Sequence, residues 1–191
     1  MSRKPSLLRR LFAPAIVRGR RFARDERGVT AVEFGILALP FFTIIFAIIE
    51  TAMMFFAQQT LDSAVEDASR MVRTGQAQSQ GFDLTAFRNY MCGYTFNLFN
   101  CSNIVIKVEI LPTFASVSTT PTIQNCNLTT CTWQVTDSYN PGVGRSIIQV
   151  SAYYRWPLMI VLPYFNLKNQ PDNYRLLTAI RVFRNEPFTS T

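Results

Sequence analysis

The stretch ERGVTAVEFGILALPFF, Glu26 to Phe42, passes from a basic segment to an apolar one within a few residues. From Phe34 to Ile49 no side chain is charged. With Glu50 as a single interruption, the apolar run reaches Ala57, 24 residues in all. About 20 such residues cross a bilayer as a helix. Pro40 lies inside the run, where a span tolerates proline if neighbours satisfy the freed carbonyl. The pattern predicts one transmembrane helix over residues 29–57.

The charge upstream sets its direction. Residues 1–28 hold nine Lys/Arg against Asp25 and Glu26, which is the whole formal excess of +7. Residues 29–191 carry ten basic and ten acidic side chains. Basic residues beside an apolar segment mark its cytoplasmic side, so residues 1–28 read as a cytoplasmic leader and the rest as external. Charge confined to a leader, with no accompanying RNA- or DNA-binding signature, argues against a nucleic-acid partner. A cleaved secretory signal fits poorly. The run exceeds the usual 7–15 residues, and the positions around Ala47–Ala52 carry isoleucine and glutamate where small residues are needed. A plain uncleaved anchor stays open.

Two carboxylates, Glu33 and Glu50, bracket the run. A charge in hydrocarbon costs about 2.5–3.5 kcal/mol on insertion scales. Each carboxylate therefore lies near a headgroup layer or has a partner cation. For Glu33 a cation is available on one condition. A cut after Gly28 makes Val29 the amino terminus, four residues from Glu33, which is about one helical turn. The new ammonium, or that of a neighbouring copy, then reaches the carboxylate.

Gly28, four residues, Glu33 and the aromatic Phe34, behind a basic leader, resemble the processing site of type IV prepilins. ERGVTAVEFGILALPFF, together with RMVRTGQAQ (70–78), YRWPL (154–158) and RVFRNEPF (181–188), resembles the TadE-like group of tight-adherence (Flp) pilus pseudopilins. The resemblance implies cleavage by a membrane prepilin peptidase between Gly28 and Val29. It implies that Glu33 and Phe34 serve peptidase recognition and assembly. It also implies a minor pilin or pseudopilin, since bulk Flp pilins are far shorter. The implied partners are the peptidase, other pilins or pseudopilins and an inner-membrane assembly platform. The implied location is the bacterial inner membrane, single-pass, with the C-terminal domain periplasmic, the subunit either staying there or entering the pilus. The leader is long and Phe34 stands where tyrosine is the other option; both suit the pattern.

Beyond Ala57, Leu61, Ala64, Val65, Ala68, Met71 and Val72 follow i, i+3, i+4 spacing, one apolar helical face. Residues 58–75 read as an amphipathic stalk helix, with Glu66 and Arg70 as an i,i+4 pair and Gly75 as the stop. A continuous helix from Val29 to Thr74 runs about 69 Å at 1.5 Å per residue. Residues 76–191 form the external domain: a linker at 75–81 and a short helix capped by Asp83 and ending near Cys92–Gly93. A strand follows with Ile104, Ile106, Val108 and Ile110 on one face. The stretches 121–126 and 131–136 suit a hairpin. A further strand face carries Ile148, Val150, Ala152, Tyr154 and Trp156, and a last one Tyr174, Leu176, Thr178, Ile180 and Val182. The fold class is α+β: a long helix packed on a small antiparallel sheet, pilin-like.

Cys92, Cys101, Cys126 and Cys131 all lie beyond the span, where an even count favours disulfides. Of the three connectivities, Cys92–Cys101 with Cys126–Cys131 closes the shortest loops. Their spacings lack C-x2-C knuckles, so no metal site is expected. The chain has no histidine, which removes Ser–His and Cys–His dyads. Asp83, Glu109, Asp137, Asp172 and Glu186 form no acid/base pair in sequence, and NPGVGRS (140–146) lacks the P-loop lysine and reads as a turn. Neither an enzyme nor a cofactor is expected. The alternative to a pilin is an uncleaved, membrane-anchored periplasmic binding domain. WPLMIVLPYF (156–165) is too short to span a bilayer; it is either packed in the core or a docking patch.

Overall fold

The structure, a computed structural model, describes residues 28–119, 136–160, 167–170 and 173–189. It divides between Ala47 and Ile48 into two compact units. The helix α1, Val29–Arg73, holds Pro40. In the first unit its apolar side chains face outward, with Phe34, Leu37 and Leu39 each about 70% exposed at 70%, 69% and 73%.

In the second unit α1 acquires a buried stripe: Met54, Ala57, Leu61, Ala64, Val65, Ala68 and Val72. The spacing is the i, i+3, i+4 pattern expected from the sequence. The three alanines share one buried cluster with strand residues that are themselves small, Ala152 and Ala179. After Arg73, Gly75 takes a left-handed φ of +80°, and the ring of Phe188 occupies the space where a Cβ would stand. Only glycine fits both demands. The segment expected to be a plain linker contains one turn of helix, α2 (Gln76–Ser79), because Ala77 is fully buried there. The next helix, α3 (Leu84–Gly93), starts where expected: Asp83 Oδ1 accepts from the Ala86 N–H at 2.7 Å.

Four strands follow, β1 (Val105–Leu111), β2 (Ser138–Tyr139), β3 (Ile147–Pro157) and β4 (Tyr174–Arg184), in the order β2-β1-β3-β4. β1–β3 and β3–β4 are antiparallel. The expected all-antiparallel sheet is corrected at one edge, where β2 runs parallel to β1 over Lys107–Ser138 and Val108–Tyr139. A side chain makes that edge. Asp137 Oδ1 accepts the Ile106 N–H at 2.8 Å while its other oxygen pairs with Arg88 of α3. Arg88 also donates to the carbonyls of Cys101 and Ile104. The expected hairpin at 121–136 lies outside the described residues, apart from its last position.

The helix side of the sheet carries Ile104, Ile106, Val108, Ile148, Val150, Ala152, Tyr154, Leu177 and Ala179 in one core with α1 and α3. The face read for the last strand is therefore the opposite one. The register pairs Leu176 with Arg155 and Thr178 with Tyr153, so Leu176, Thr178, Ile180 and Val182 turn away from the helix. There Val105, Tyr153 and Leu176 form a small second cluster. Arg181 reaches the flank of α1, its Nε 2.5 Å from Glu66 Oε2 and its Nη1 3.4 Å from Asp62 Oδ1. Glu66 thus pairs across the fold, not with Arg70 as its spacing invited.

Tyr139 packs on Phe87 with ring centroids 5.3 Å apart. Its hydroxyl is buried with no partner among the described residues. Burial, with a smaller push from Asp83, raises the phenol to about 12. A proton held more tightly in the folded chain adds stability that is complete below the unfolded value near 10 and is lost as pH rises through the folded one. Tyr139→Phe is expected to flatten that alkaline loss. At neutral pH it leaves stability unchanged or raises it by about 1 kcal/mol, since a desolvated hydroxyl disappears. Urea midpoints at neutral pH and at about pH 11 check both statements.

Candidate processing and assembly site

Gly28 stands just before the first residue of α1, and Val29, Glu33 and Phe34 occupy its first two turns. Val29 and Glu33 are four apart and so lie on the same side of the helix. Val29 is 52% and Phe34 70% exposed, and Glu33 is also exposed. No hydrogen bond or ion pair holds Glu33 among the described residues. Gly28 is equally unencumbered: a Cβ there meets nothing within 4 Å, and its φ is not left-handed. Among the described residues, therefore, no packing contact calls for a glycine at 28 and no hydrogen bond or ion pair calls for an acid at 33.

α1 is long and apolar enough to cross a membrane, with a mean hydropathy of 2.4 over its most apolar window and none of that window buried. Its second carboxylate behaves differently from its first. Glu50 Oε1 accepts the backbone N–H of Met159 at 3.1 Å, a partner within the second unit. The sequence left Glu50 either near a headgroup layer or beside a cation; the partner it has among the described residues is a backbone amide, which composition cannot reveal.

Cys92 and Cys101 form a disulfide joining the end of α3 to the turn before β1. Cys126 and Cys131 lie outside the described residues. Among the described residues no three His, Cys, Asp or Glu side chains gather as metal ligands would.

Residues 28–70 match the family model for TadE-like protein. The TadE-like segment thus begins at the glycine and ends within the buried stripe of α1, covering the stretch on which the sequence resemblance is densest. No curated protein and no solved structure matches the chain. The family match supports involvement in Tad/Flp pilus-related function, in a family that is generally non-enzymatic, and one apolar N-terminal helix is consistent with single-pass membrane anchoring.

Proposed function

We propose that the chain is a minor pilin or pseudopilin of a tight-adherence pilus system, processed by a prepilin peptidase between Gly28 and Val29. The observation that carries this reading is the exposed Gly28–Phe34 stretch, for whose glycine and acid no internal contact is seen among the described residues. A peptidase that must seat extended backbone in its cleft favours a residue without a side chain on one side of the cut. Cleavage turns the Val29 nitrogen into an ammonium one helical turn from the Glu33 carboxylate. The pair neutralises itself, or pairs across neighbouring copies, where an isolated carboxylate is costly. Phe34, mostly exposed, offers an aromatic face to the same partners.

In this reading the leader is cytoplasmic, α1 spans the inner membrane and the sheet lies in the periplasm. The Cys92–Cys101 disulfide agrees with an oxidising compartment. The partners are the peptidase, other pilins or pseudopilins and the membrane assembly platform. Mass spectrometry of protein extracted from membranes tests the first step. The expected N-terminal residue is Val29, and a chain beginning at Met1 or Ser2 means an uncleaved anchor. Gly28→Val is expected to abolish processing while leaving the folded domain intact, because the space around Gly28 is open. Normal cleavage of this variant would falsify the assigned cut.

A further inference from the structure

The end of the β3–β4 pair that carries Met159 has features that neither the helix packing nor the processing site uses. Met159 is 89% exposed while its own backbone is tied down by Glu50. The preceding residue, Leu158, is buried and donates its N–H to the Asn173 carbonyl at 2.9 Å. The backbone is therefore held at both Leu158 and Met159, and the Met159 side chain is left exposed. A lone exposed methionine is ordinary. This one is joined to the helix residue at which the uncharged run of α1 stops, and beside that residue Ile48, Ile49 and Met53 are exposed as well.

Cationic and aromatic groups crowd the same end of the sheet. The Arg155 guanidinium lies over the Tyr174 ring, 4.4 Å from its centroid. The Arg155 Nε is buried with no acceptor among the described residues. Arg155 and Tyr174, with Ser102, Asn103 and Val105, line a hollow of about 380 Å³. Arg175, next to Tyr174, donates to the Leu167 carbonyl at 2.8 Å. An apolar tip, aromatic rings and arginines together match the layers of a bilayer surface. Methionine suits the acyl boundary, Trp156 and Tyr174 the headgroup level, and arginines the anionic phosphates.

We propose that this end of the domain docks on the anionic leaflet from which α1 emerges, with Met159 entering the acyl boundary and Arg155 taking a lipid phosphate. The inference rests on the membrane-spanning reading of α1. Lipid is the occupant, in preference to a second copy, because Glu50 fixes Met159 at the place where the uncharged run ends, and because arginines and aromatic rings, the groups that suit a headgroup layer, gather at that same end.

The full chain, reconstituted in vesicles of phosphatidylglycerol and phosphatidylethanolamine, tests this with a benzophenone amino acid replacing Met159, Phe41 or Val143 in turn. Val143, exposed, lies just before the far end of β3. Photolysis is expected to give phospholipid adducts at positions 159 and 41 and none at 143. Lipid adducts at 41 with only protein adducts, or none, at 159 overturn the docking proposal and leave the span standing. Absence of lipid adducts at both positions overturns the span along with it. Arg155→Gln is expected to lower the lipid yield at 159 at least threefold; an unchanged yield removes the phosphate contact.

Discussion

Glu33→Gln is expected to leave the chain folded and inserted, yet to reduce pilus assembly at least tenfold. The substitution keeps the shape of the side chain and removes its charge. Glu33 is exposed, and no hydrogen bond or ion pair holds it among the described residues, so the change removes no internal polar contact seen there. Glutamine even lowers the insertion cost, since a carboxylate in the apolar layer is penalised by about 2.5–3.5 kcal/mol. An acid that costs energy and stabilises no internal contact has its use in a partner. The proposed partner is the Val29 ammonium created by cleavage, its own or that of an adjoining copy. Loss of one such pair in a low-dielectric setting exceeds the 1.4 kcal/mol that corresponds to a factor of ten. Counting fibres in sheared fractions, alongside an immunoblot for processed protein in the membrane, reads both quantities. Abundant fibres from the glutamine variant would remove Glu33 from the mechanism and with it the reason proposed for the cut.

Phe87→Ala is expected to lower the stability of the second unit by about 3–5 kcal/mol, the range for deleting a buried aromatic ring. Phe87 is fully buried, between the core of α1 and the Tyr139 ring. That loss is a large part of the 5–15 kcal/mol typical of a whole domain. A denaturation midpoint measured by circular dichroism provides the check. Ile110→Ala is the control. Its side chain is 46% exposed at the end of β1, so the change is expected to stay within about 0.5 kcal/mol. Equal losses in the two variants would mean that the core is not centred where α3 meets the sheet.

Helical features were legible in the sequence because they repeat. The uncharged run from Phe34, the stripe Leu61–Val72, the Gly75 stop and the Asp83 cap each place a local signal at its structural position. The strands of the sheet were legible as segments but not as faces. β4 carries apolar side chains on both sides, with Leu176 and Ile180 on one and Leu177, Ala179 and Phe183 on the other. Alternation alone cannot say which side meets the helix, and the smaller Ala179 lies beneath it. β2 was missed because two residues hold no period, and its pairing rests on the Asp137 carboxylate, a contact set by tertiary structure. Glu66 was assigned its neighbour in sequence, yet Arg181 lies closer in space. At the candidate site the glycine and the aromatic residue came from the resemblance to prepilins, and the acid also from its place at the edge of an uncharged run. The link between Glu50 and Met159 was not legible, because a backbone amide leaves no mark in the sequence.

Residues 185–188 close the second unit. Glu186 donates its N–H to the Arg73 carbonyl at 2.9 Å, and Asn185 binds the carbonyls of Pro141 and Val143. Phe188 fills the space at Gly75, and its backbone crowds Gly144 so closely that no Cβ would fit there. These contacts join the chain's late residues to the end of α1, made more than half a chain earlier. Synthesis of the chain therefore delivers α1 well before the segment that clasps it, and the second unit stays unlatched in the interval. Deleting the short segment 185–189 should expose the end of α1 to added protease, which limited proteolysis of the purified chain would read.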